Sequence, residues 1–157
     1  MPTLTYSASV TVAAAPEEVY ALFSDVTRTG EWSPVCHEVV WDDGAVAEVG
    51  ASFLGRNEVA GRTWETRNEV LVADGTTFGW STGPGIASWT YAVTAGPEEG
   101  TAVLTESWEF SEEGQATIRV KYPERADTII AGAPGNAEAG ITATLAAMKQ
   151  ILEPAAV

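Results

Sequence analysis

The stretch Val49 to Val70, VGASFLGRNEVAGRTWETRNEV, decides the fold of this chain. Apolar and polar residues alternate on both sides of Ala60-Gly61, and a glycine between two alternating runs indicates a tight turn. We therefore predict two antiparallel strands, Ala51 to Glu58 and Arg62 to Ala73, that form a hairpin.

Five further strands are predicted around this hairpin. They are Thr3 to Val12, His37 to Trp41, Thr76 to Ser81, Ile86 to Thr94 and Thr101 to Phe110. Most neighbours along the chain are joined by hairpin-length connections, such as the turn at Asp74-Gly75. The seven strands should therefore form one antiparallel sheet, which makes the fold class α+β.

Two short helices are predicted after the first strand. Pro16 suits the first position of a helix, and Val19, Leu22 and Phe23 recur at helical spacing behind it. A second helical turn is predicted from Arg28 to Trp32, which Pro34 ends because the residue before a proline avoids the α region.

The C-terminal third of the sequence predicts one long helix, from Ala137 to Leu152. Its apolar stripe comprises Ile141, Leu145, Met148 and Leu152. Gly132 to Gly135, the segment GAPG, predicts a break before this helix. Thr117 to Tyr122 fits either a strand or the start of a helix.

The amino-acid composition limits the classes of molecule that the protein is expected to bind. The chain has 157 residues, which favours a single domain over 1–157, and its net charge is −14. Such a charge repels phosphate backbones and anionic membrane surfaces, so we expect no nucleic acid partner. The six Trp residues are many for one small domain and suggest wide apolar surfaces.

Other classes are disfavoured by what the sequence does not contain. Cys36 is the single cysteine, so an intrachain disulfide is excluded, and one His with one Cys gives no zinc or other metal site. No phosphate-binding loop is visible, and we expect no cofactor. No signal peptide and no apolar run of about 20 residues is visible, which predicts a cytoplasmic protein with no integral membrane association.

Four pieces of the sequence together resemble a known superfamily. They are Ala15–Tyr20 (APEEVY) with Ser24-Asp25, Glu31–Pro34 (EWSP), Val49–Asn57 (VGASFLGRN) with Trp64–Thr66 (WET) and Glu69-Val70, and the segment from Gly140 through Thr144-Leu145 to Met148-Lys149. In this order they resemble the START-like superfamily, also called SRPBCC, and more narrowly its bacterial polyketide cyclase/dehydrase-like branch. The resemblance implies a helix-grip fold, in which the seven-stranded sheet wraps around the long C-terminal helix.

The helix-grip resemblance also implies an internal cavity between the sheet and the last helix. Strand parity then selects the side chains that face inward, because alternate residues point to opposite faces. The predicted ligand-binding set is Phe53, Asn57, Trp64, Asn68, Phe78, Trp80, Trp89, Tyr91, Ile141, Leu145 and Met148. The alternative for each aromatic is simple core packing.

The two asparagines of this set are the polar members of the predicted lining. A buried amide needs hydrogen-bond partners. Asn57 and Asn68 either bind the ligand or are tied structurally to neighbouring backbone, and the sequence leaves both interpretations open.

Candidates for catalysis are few. His37 is the only histidine, and an ordinary strand histidine is the competing interpretation. Glu106 shares one parity with Leu104 and Trp108 and would then be a buried carboxylate with a raised pKa; the opposite parity places it in solvent. Tyr91 is a further candidate. Arg119 and Tyr122 join the set if residues 117–122 fold over the mouth of the cavity.

The resulting functional hypothesis is a binding domain, with catalysis uncertain. The resemblance implies a small hydrophobic ligand, aromatic or polycyclic, as in polyketide cyclase/dehydrase or lipid-transport proteins. Any reaction would be of the cyclase/dehydrase type, and the protein would be a monomer or homodimer. The alternative is a protein-interaction module of the same fold, similar to chaperone activators or toxins, with an exposed apolar patch and no small-molecule substrate.

Overall fold

The computed structural model describes residues 2–83 and 85–153. Seven strands lie between the helices: β1 Leu4–Val12, β2 Cys36–Trp41, β3 Ser52–Val59, β4 Arg62–Ala73, β5 Thr77–Thr82, β6 Ala87–Ala95 and β7 Ala102–Phe110. The helices are α1 Pro16–Phe23, a 3-10 helix Val26–Glu31, α2 Glu112–Lys121 and α3 Ala126–Leu152. The fold is α+β, as predicted, and the strand ends agree with the sequence pattern to within one residue.

The strands form one antiparallel sheet in the order β1-β7-β6-β5-β4-β3-β2. All neighbours from β2 to β7 are consecutive in the chain, and only β1 crosses to the far edge, where it pairs with β7. The helices α1 and α3 lie on one face, α1 over β5, β6 and β7 and α3 over β1 and β7. This helix-covered side is called the inner face below. The arrangement is the predicted helix-grip fold.

The central hairpin forms as its sequence indicates. Ala60 and Gly61 have φ values of 51° and 80°, the left-handed pair that a two-residue type I′ turn requires. Across the hairpin, Asn57 is paired with Trp64 and Gly55 with Thr66. The register puts Asn57, Gly55 and Phe53 on the inner face.

The outer face of the same strands is charged. Arg56 on β3 forms salt bridges with Glu38 on β2 and Glu65 on β4, and Arg67 bonds Asp42 at 2.6 Å. These charges stay in solvent, so the outer face cannot pack against another layer without desolvating them. The alternation of charged and apolar residues along β3 and β4 therefore determines which side of the sheet the helices cover.

The burial pattern of β7 shows which of the two predicted orientations of Glu106, buried or in solvent, is correct. Its residues Ala102, Leu104, Glu106, Trp108 and Phe110 are all buried, whereas the residues between them are less covered. Glu106 is 3% exposed. The parity that shares a face with Leu104 and Trp108 is therefore the correct one, because burying those two large side chains outweighs the cost of burying one carboxyl group.

The helical part of the C-terminal third is longer than predicted. Ser111 caps α2 by accepting a hydrogen bond from the Gly114 N–H at 2.9 Å, so Thr117 to Tyr122 belongs to the end of a helix and not to a strand. The predicted break at Gly132 to Gly135 is wrong, because α3 runs through it with Pro134 inside. Burial of Ile130 and Ala137 on the two sides of the proline overrides the weak local propensity.

No helix of the described residues is long and apolar enough to cross a membrane.

Candidate functional site

A row of aromatic rings runs across the inner face. Phe53 and Trp80 have centroids 5.8 Å apart, Trp80 and Tyr91 5.6 Å, and Tyr91 and Phe23 5.3 Å. Trp41 continues the row beyond Phe53 at 5.3 Å. These separations lie in the range of favourable edge and offset contacts between rings. Strands that are distant in sequence thus supply one continuous aromatic surface.

Trp80 is the accessible member of the middle of this row. Phe53, Tyr91 and Phe23 are buried, whereas Trp80 is half-buried, as is Trp89 directly opposite it on β6. Thr82 and Thr66 are also half-buried and have inward parity. We call Thr66, Trp80, Thr82 and Trp89 the open strip. It lies at the end of the sheet where β5 turns into β6.

The elements around the open strip are held close together. A Cβ added to Gly114 at the start of α2 would lie 1.9 Å from the Ile86 carbonyl oxygen, so only glycine allows this approach. Trp89 contacts Trp108, with ring centroids 6.3 Å apart. The first turn of α2 therefore abuts the β5–β6 connection.

Glu106 and Tyr91 form a buried polar pair beside the aromatic row. The two residues are directly paired across β6 and β7, and they are 3% and 5% exposed. Burial raises the pKa of Glu106 to about 8, and interaction with the Tyr91 hydroxyl lowers it only in part. At neutral pH the carboxyl group is mostly protonated. Its Oε1 atom has no hydrogen-bond partner among the described residues.

Trp32 belongs to the same polar cluster. It follows the 3-10 helix, is 4% exposed, and lies close enough to the Tyr91 hydroxyl to influence the pKa of that group. Burial is the main reason that the pKa of Tyr91 lies well above its usual value, and the charge of Glu106 adds to it. The Trp32 interaction lowers the pKa and only partly offsets these effects. Tyr91 is therefore a neutral phenol over the accessible pH range.

The two asparagines are tied to the protein through their N–H groups. Asn57 Nδ2 donates to Thr66 Oγ1 at 2.8 Å and to the Trp64 carbonyl at 3.3 Å. Asn68 Nδ2 donates to the Thr66 carbonyl at 3.1 Å. For the amide N–H groups, these bonds agree with the prediction that the two side chains are tied structurally to neighbouring backbone. Both side chains are 7% exposed, and no bond occupies their carbonyl oxygens among the described residues.

Gly55 lies on the inner face beside these amides, where a side chain would be crowded. A Cβ at this position would lie 3.3 Å from Cys36 Sγ and 3.7 Å from Asn68 Nδ2. The Cys36 thiol itself donates to the Glu38 carbonyl at 3.5 Å, and burial raises its pKa. The thiol is therefore held in its neutral, unreactive form.

Several predicted site residues lie away from the Glu106–Tyr91 pair. Trp64 has inward parity but stands at the hairpin tip, 37% exposed, with the Arg62 guanidinium 4.8 Å from its ring. His37 is exposed at an irregularity in β2. Neither side chain is brought to the polar pair, so the structure gives His37 no catalytic partner within the described part of the chain.

Arg119 and Tyr122 are engaged at the surface. Arg119 bonds Asp127 at 2.6 Å, and the Tyr122 ring lies 5.6 Å from the Lys121 ammonium and 5.8 Å from the Arg125 guanidinium. Because residues 117–121 are helical, they form part of the α2–α3 corner.

The remaining predicted residues pack in the core. Phe78, Ile141 and Met148 are fully buried, and Leu145 is 5% exposed. Sequence reasoning assigned no site role to Trp32, Phe23 or Trp41, although Trp32 lies in the quoted EWSP segment. No periodicity marks Trp32, since it follows a 3-10 turn, and only the three-dimensional contact with Tyr91 reveals its place.

Two open hollows on the described surface lie on the outer face. One is lined mainly by hydroxyl groups, those of Thr5, Ser7, Ser88, Thr90 and Ser107, and the other adjoins it near Ser81 and Ser111. The predicted internal cavity is neither of these and stays a prediction. Within residues 2–83 and 85–153, no group of three or more His, Cys, Asp or Glu side chains is arranged to hold a metal ion.

A family model described as polyketide cyclase / dehydrase and lipid transport matches residues 3–153. The chain belongs to this polyketide cyclase/dehydrase family. The model covers every helix and strand described above, so the aromatic row and the Glu106–Tyr91 pair both lie within the family domain. No curated protein is significantly similar to the chain.

Solved structures of this family's fold are similar over nearly the whole chain. A Polyketide_cyc-like protein from Corynebacterium glutamicum is 46% identical, with 98% of this chain and 94% of that protein covered and a TM-score of 0.70. The di-domain ARO/CYC StfQ of the steffimycin biosynthetic pathway is 13% identical, with 97% of this chain and 51% of StfQ covered and a TM-score of 0.69. XoxI from Bacillus cereus is 17% identical, with 98% and 97% covered and a TM-score of 0.66. The last two show the fold alone.

Proposed function

We propose that this protein binds a small, largely apolar molecule with an aromatic or polycyclic ring system between the inner face of the sheet and α3. The aromatic row with its accessible Trp80 is the observation that carries the proposal. Membership of the polyketide cyclase/dehydrase and lipid transport family supports the same class of ligand.

Trp80 supplies the contact surface for such a ring. It stands between Phe53 and Tyr91, and a planar ligand entering at the open strip would extend this stacked arrangement. Contacts between aromatic rings contribute about 0.5–1.5 kcal/mol beyond the area that they bury. The ring would therefore pack beside Trp80, with Thr66 and Thr82 as hydroxyl groups at the rim.

The polar groups of the inner face would orient the ligand. The carbonyl oxygens of Asn57 and Asn68 and the Glu106–Tyr91 pair are few and lie among apolar side chains. A site with a wide apolar lining and a small number of placed polar groups is typical of small-molecule recognition. Catalysis at Glu106 or Tyr91 stays a hypothesis that turnover assays would have to establish.

The exposed apolar side chains do not favour the alternative of a protein-interaction module. They are Val40, Val46, Val49, Val59, Trp64, Leu71, Val120 and Tyr122. These residues are distributed over β2, the β2–β3 connection, the hairpin tip, the outer face of β4 and the α2–α3 corner. Apolar residues exposed singly are ordinary on a protein surface.

Trp80→Leu tests the proposal, with Trp64→Leu as the matched control. Isothermal titration with 2-naphthol should show roughly tenfold weaker binding for Trp80→Leu, because the lost ring contact is worth about 1 kcal/mol plus buried area. Trp64→Leu changes an exposed tryptophan outside the row and should bind as the wild type does. Circular dichroism checks that both variants are folded.

Two results would count against the proposal. One is wild-type protein that binds none of several uncharged bicyclic and tricyclic aromatic probes. The other is a folded Trp80→Leu variant whose affinity equals that of Trp64→Leu. Native mass spectrometry of protein purified from cells adds an independent measurement, since a co-purifying small molecule would appear as a discrete mass increment.

A further inference from the structure

Strand β1 lies at an edge of the sheet and pairs with β7 on one side only. In an antiparallel pair, alternate residues direct both backbone groups toward the partner strand, and the residues between them direct theirs away from it. The Thr11 carbonyl accepts a hydrogen bond from Lys149 Nζ at 2.7 Å, and the Ala13 N–H donates to Glu153. The odd-numbered residues of β1 are therefore those that direct their backbone groups away from β7.

Three of these odd-numbered residues, Thr5, Ser7 and Ser9, have backbone groups that are open to solvent. All three residues are exposed. Within residues 2–83 and 85–153, no loop or side chain forms a hydrogen bond with their N–H or C=O groups at the free side of β1. A row of free backbone donors and acceptors at a sheet edge is a template for a further strand. This edge therefore suits an extended polypeptide as its partner.

The two edges of the sheet differ in how they are protected. Natural proteins protect sheet edges with charged side chains, prolines, bulges or short strands. The edge strand β2 has only six residues, an irregular register between Cys36 and Glu38, and a salt bridge from Glu38 to Arg56. Strand β1 has nine residues in unbroken register and contains no charged residue, proline or glycine, in a chain whose net charge is −14. The β1 edge is therefore the one that is open to pairing.

The sequence of β1 allows this strand to pair with a second copy of itself. When Ser7 lies opposite Ser7 of the second copy, Thr5 of each copy lies opposite Ser9 of the other. This register uses every outward N–H and C=O group of Thr5, Ser7 and Ser9, since each residue of such a pair donates one bond and accepts one. Small hydroxyl side chains face each other on the outer face, and no like charges meet.

Helix α3 has a surface that suits the same arrangement. It packs over β1 and β7 on the inner face, and a two-fold axis normal to the sheet would put the two copies of α3 side by side. Among residues 131–146, which are all described, the exposed side chains are those of alanine, glycine, threonine and asparagine, with Glu138 as the one charged residue. Helices pack about 8–10 Å apart, which is about two strand spacings, and small side chains permit such an approach.

We propose that this protein forms a homodimer in which β1 pairs antiparallel with β1 of a second copy, with Ser7 at the two-fold axis. The two seven-stranded sheets then form one continuous sheet, and each copy presents the same surface to the other, as a two-fold interface requires. The proposal is independent of ligand binding, because no residue of β1 belongs to the open strip.

Analytical ultracentrifugation over a micromolar concentration series tests the proposal. The mass of the wild type should shift reversibly from that of the monomer, 16.5 kDa, toward twice that value. Ser7→Pro should stay monomeric, because proline removes the central N–H donor and its ring obstructs the approaching strand. Proline is tolerated where the N–H of an edge strand faces solvent, so the variant is expected to fold, which circular dichroism checks. Ser7→Thr keeps the N–H group and should dimerise as the wild type does.

Charged substitutions at the same position test the register. Ser7→Lys and Ser7→Glu should each dimerise about 2- to 5-fold more weakly than the wild type, because the introduced charge lies opposite its own copy. An equal mixture of these two variants should recover the wild-type affinity, since opposite charges then meet. Val40→Lys is the matched control, because Val40 is exposed on the outer face of the other edge strand. It should dimerise as the wild type does.

Three results would overturn the proposal. The first is a wild type that stays monomeric over the whole concentration series. The second is a dimer that persists in a folded Ser7→Pro variant, and the third is a dimer that Val40→Lys weakens as much as Ser7→Lys does, because another surface would then hold the copies together. Dimerisation that is lost in Ser7→Pro, weakened in each charged variant at Ser7 and recovered in their mixture establishes it.

Discussion

Glu106 lies in an environment very different from that of its free side chain. It is an acid on a strand face shared with leucine, tryptophan and phenylalanine, and burial raises its pKa from 4.5 to about 8. In the folded protein the carboxyl group therefore holds its proton over a pH range in which the unfolded chain has released it. Such a difference makes the free energy of unfolding depend on pH.

We expect the wild type to lose stability relative to Glu106→Gln as the pH rises from about 4.5 to about 8. In this window the unfolded chain binds fewer protons than the folded chain, so raising the pH favours unfolding, by at most about 1.4 kcal/mol per pH unit. Above the folded pKa the difference becomes constant. Urea unfolding at each pH, followed by tryptophan fluorescence, measures it.

The comparison with Glu106→Gln removes the effect of other titrating groups. Glu153, for example, has a pKa lowered by Lys149 and by the Ala13 N–H, and its contribution is the same in both proteins. Parallel stability curves for the two proteins would show that Glu106 titrates normally and is not protonated inside the fold.

For single residues, the sequence predicts which face of a strand a side chain occupies, because alternate residues of a strand point to opposite faces. It placed Asn57, Asn68, Phe78 and Tyr91 on the inner face, and it offered two positions for Glu106. The pattern of β7 alone could not decide, because Val103, Thr105 and Ser107 also form an acceptable buried set. Which face of β7 is buried depends on which face α1 and α3 cover. These contacts join residues far apart in the chain and cannot be predicted from the sequence of one strand.

At the scale of elements, the glycines of α2 and α3 make opposite contributions. Gly140 lies in α3 with nothing within 4 Å of the position that a Cβ would take, whereas a Cβ on Gly114 of α2 would meet the Ile86 carbonyl oxygen at 1.9 Å. Helical glycine costs conformational entropy, which alanine removes where space allows. One glycine is thus a local weakness and the other a requirement of packing.

Gly140→Ala should raise the free energy of unfolding by about 0.5–1 kcal/mol, the usual gain for alanine in a helix. Gly114→Ala should lower it by roughly 1–3 kcal/mol, since α2 must shift away from the β5–β6 connection. Urea denaturation of both variants beside the wild type gives the two values. A destabilised Gly140→Ala or an unchanged Gly114→Ala would contradict the described positions of the two helices.

Element prediction succeeded for the strands and failed for the start of α3. Alternation and turn residues are local signals, so β3, β4 and their Ala60-Gly61 turn are legible from the sequence. The GAPG segment is also local and indicates a break, but α3 continues through it because residues on both sides are buried. The free energy gained by burying these residues outweighs the low helix propensity of the GAPG segment.

On the scale of the whole molecule, the sheet joins all parts of the chain. Strand β1 from the N-terminus pairs with β7, α3 packs on both, and Lys149 near the C-terminus donates to the Thr11 carbonyl at 2.7 Å. Separating any one of these segments would expose the buried faces of the others. The chain should therefore unfold as a unit, which is also what the prediction of one domain over 1–157 requires.

We expect thermal or urea unfolding to be a single cooperative transition. Far-ultraviolet circular dichroism reports the strands and helices, and tryptophan fluorescence reports the aromatic row, so the two signals should change at the same midpoint. Midpoints that differ beyond experimental error would instead indicate parts that unfold independently and would contradict the single-domain prediction.

The pairing of β1 with β7 also has a consequence for synthesis on the ribosome. Leu4 lies opposite Phe110. Strand β1 therefore has no complete partner strand until about 100 further residues have been translated. At 5–20 residues per second, this delay is roughly 5–20 s. During that interval the nascent chain presents an unpaired strand edge, and a chaperone that shields β1 would increase the yield of native protein.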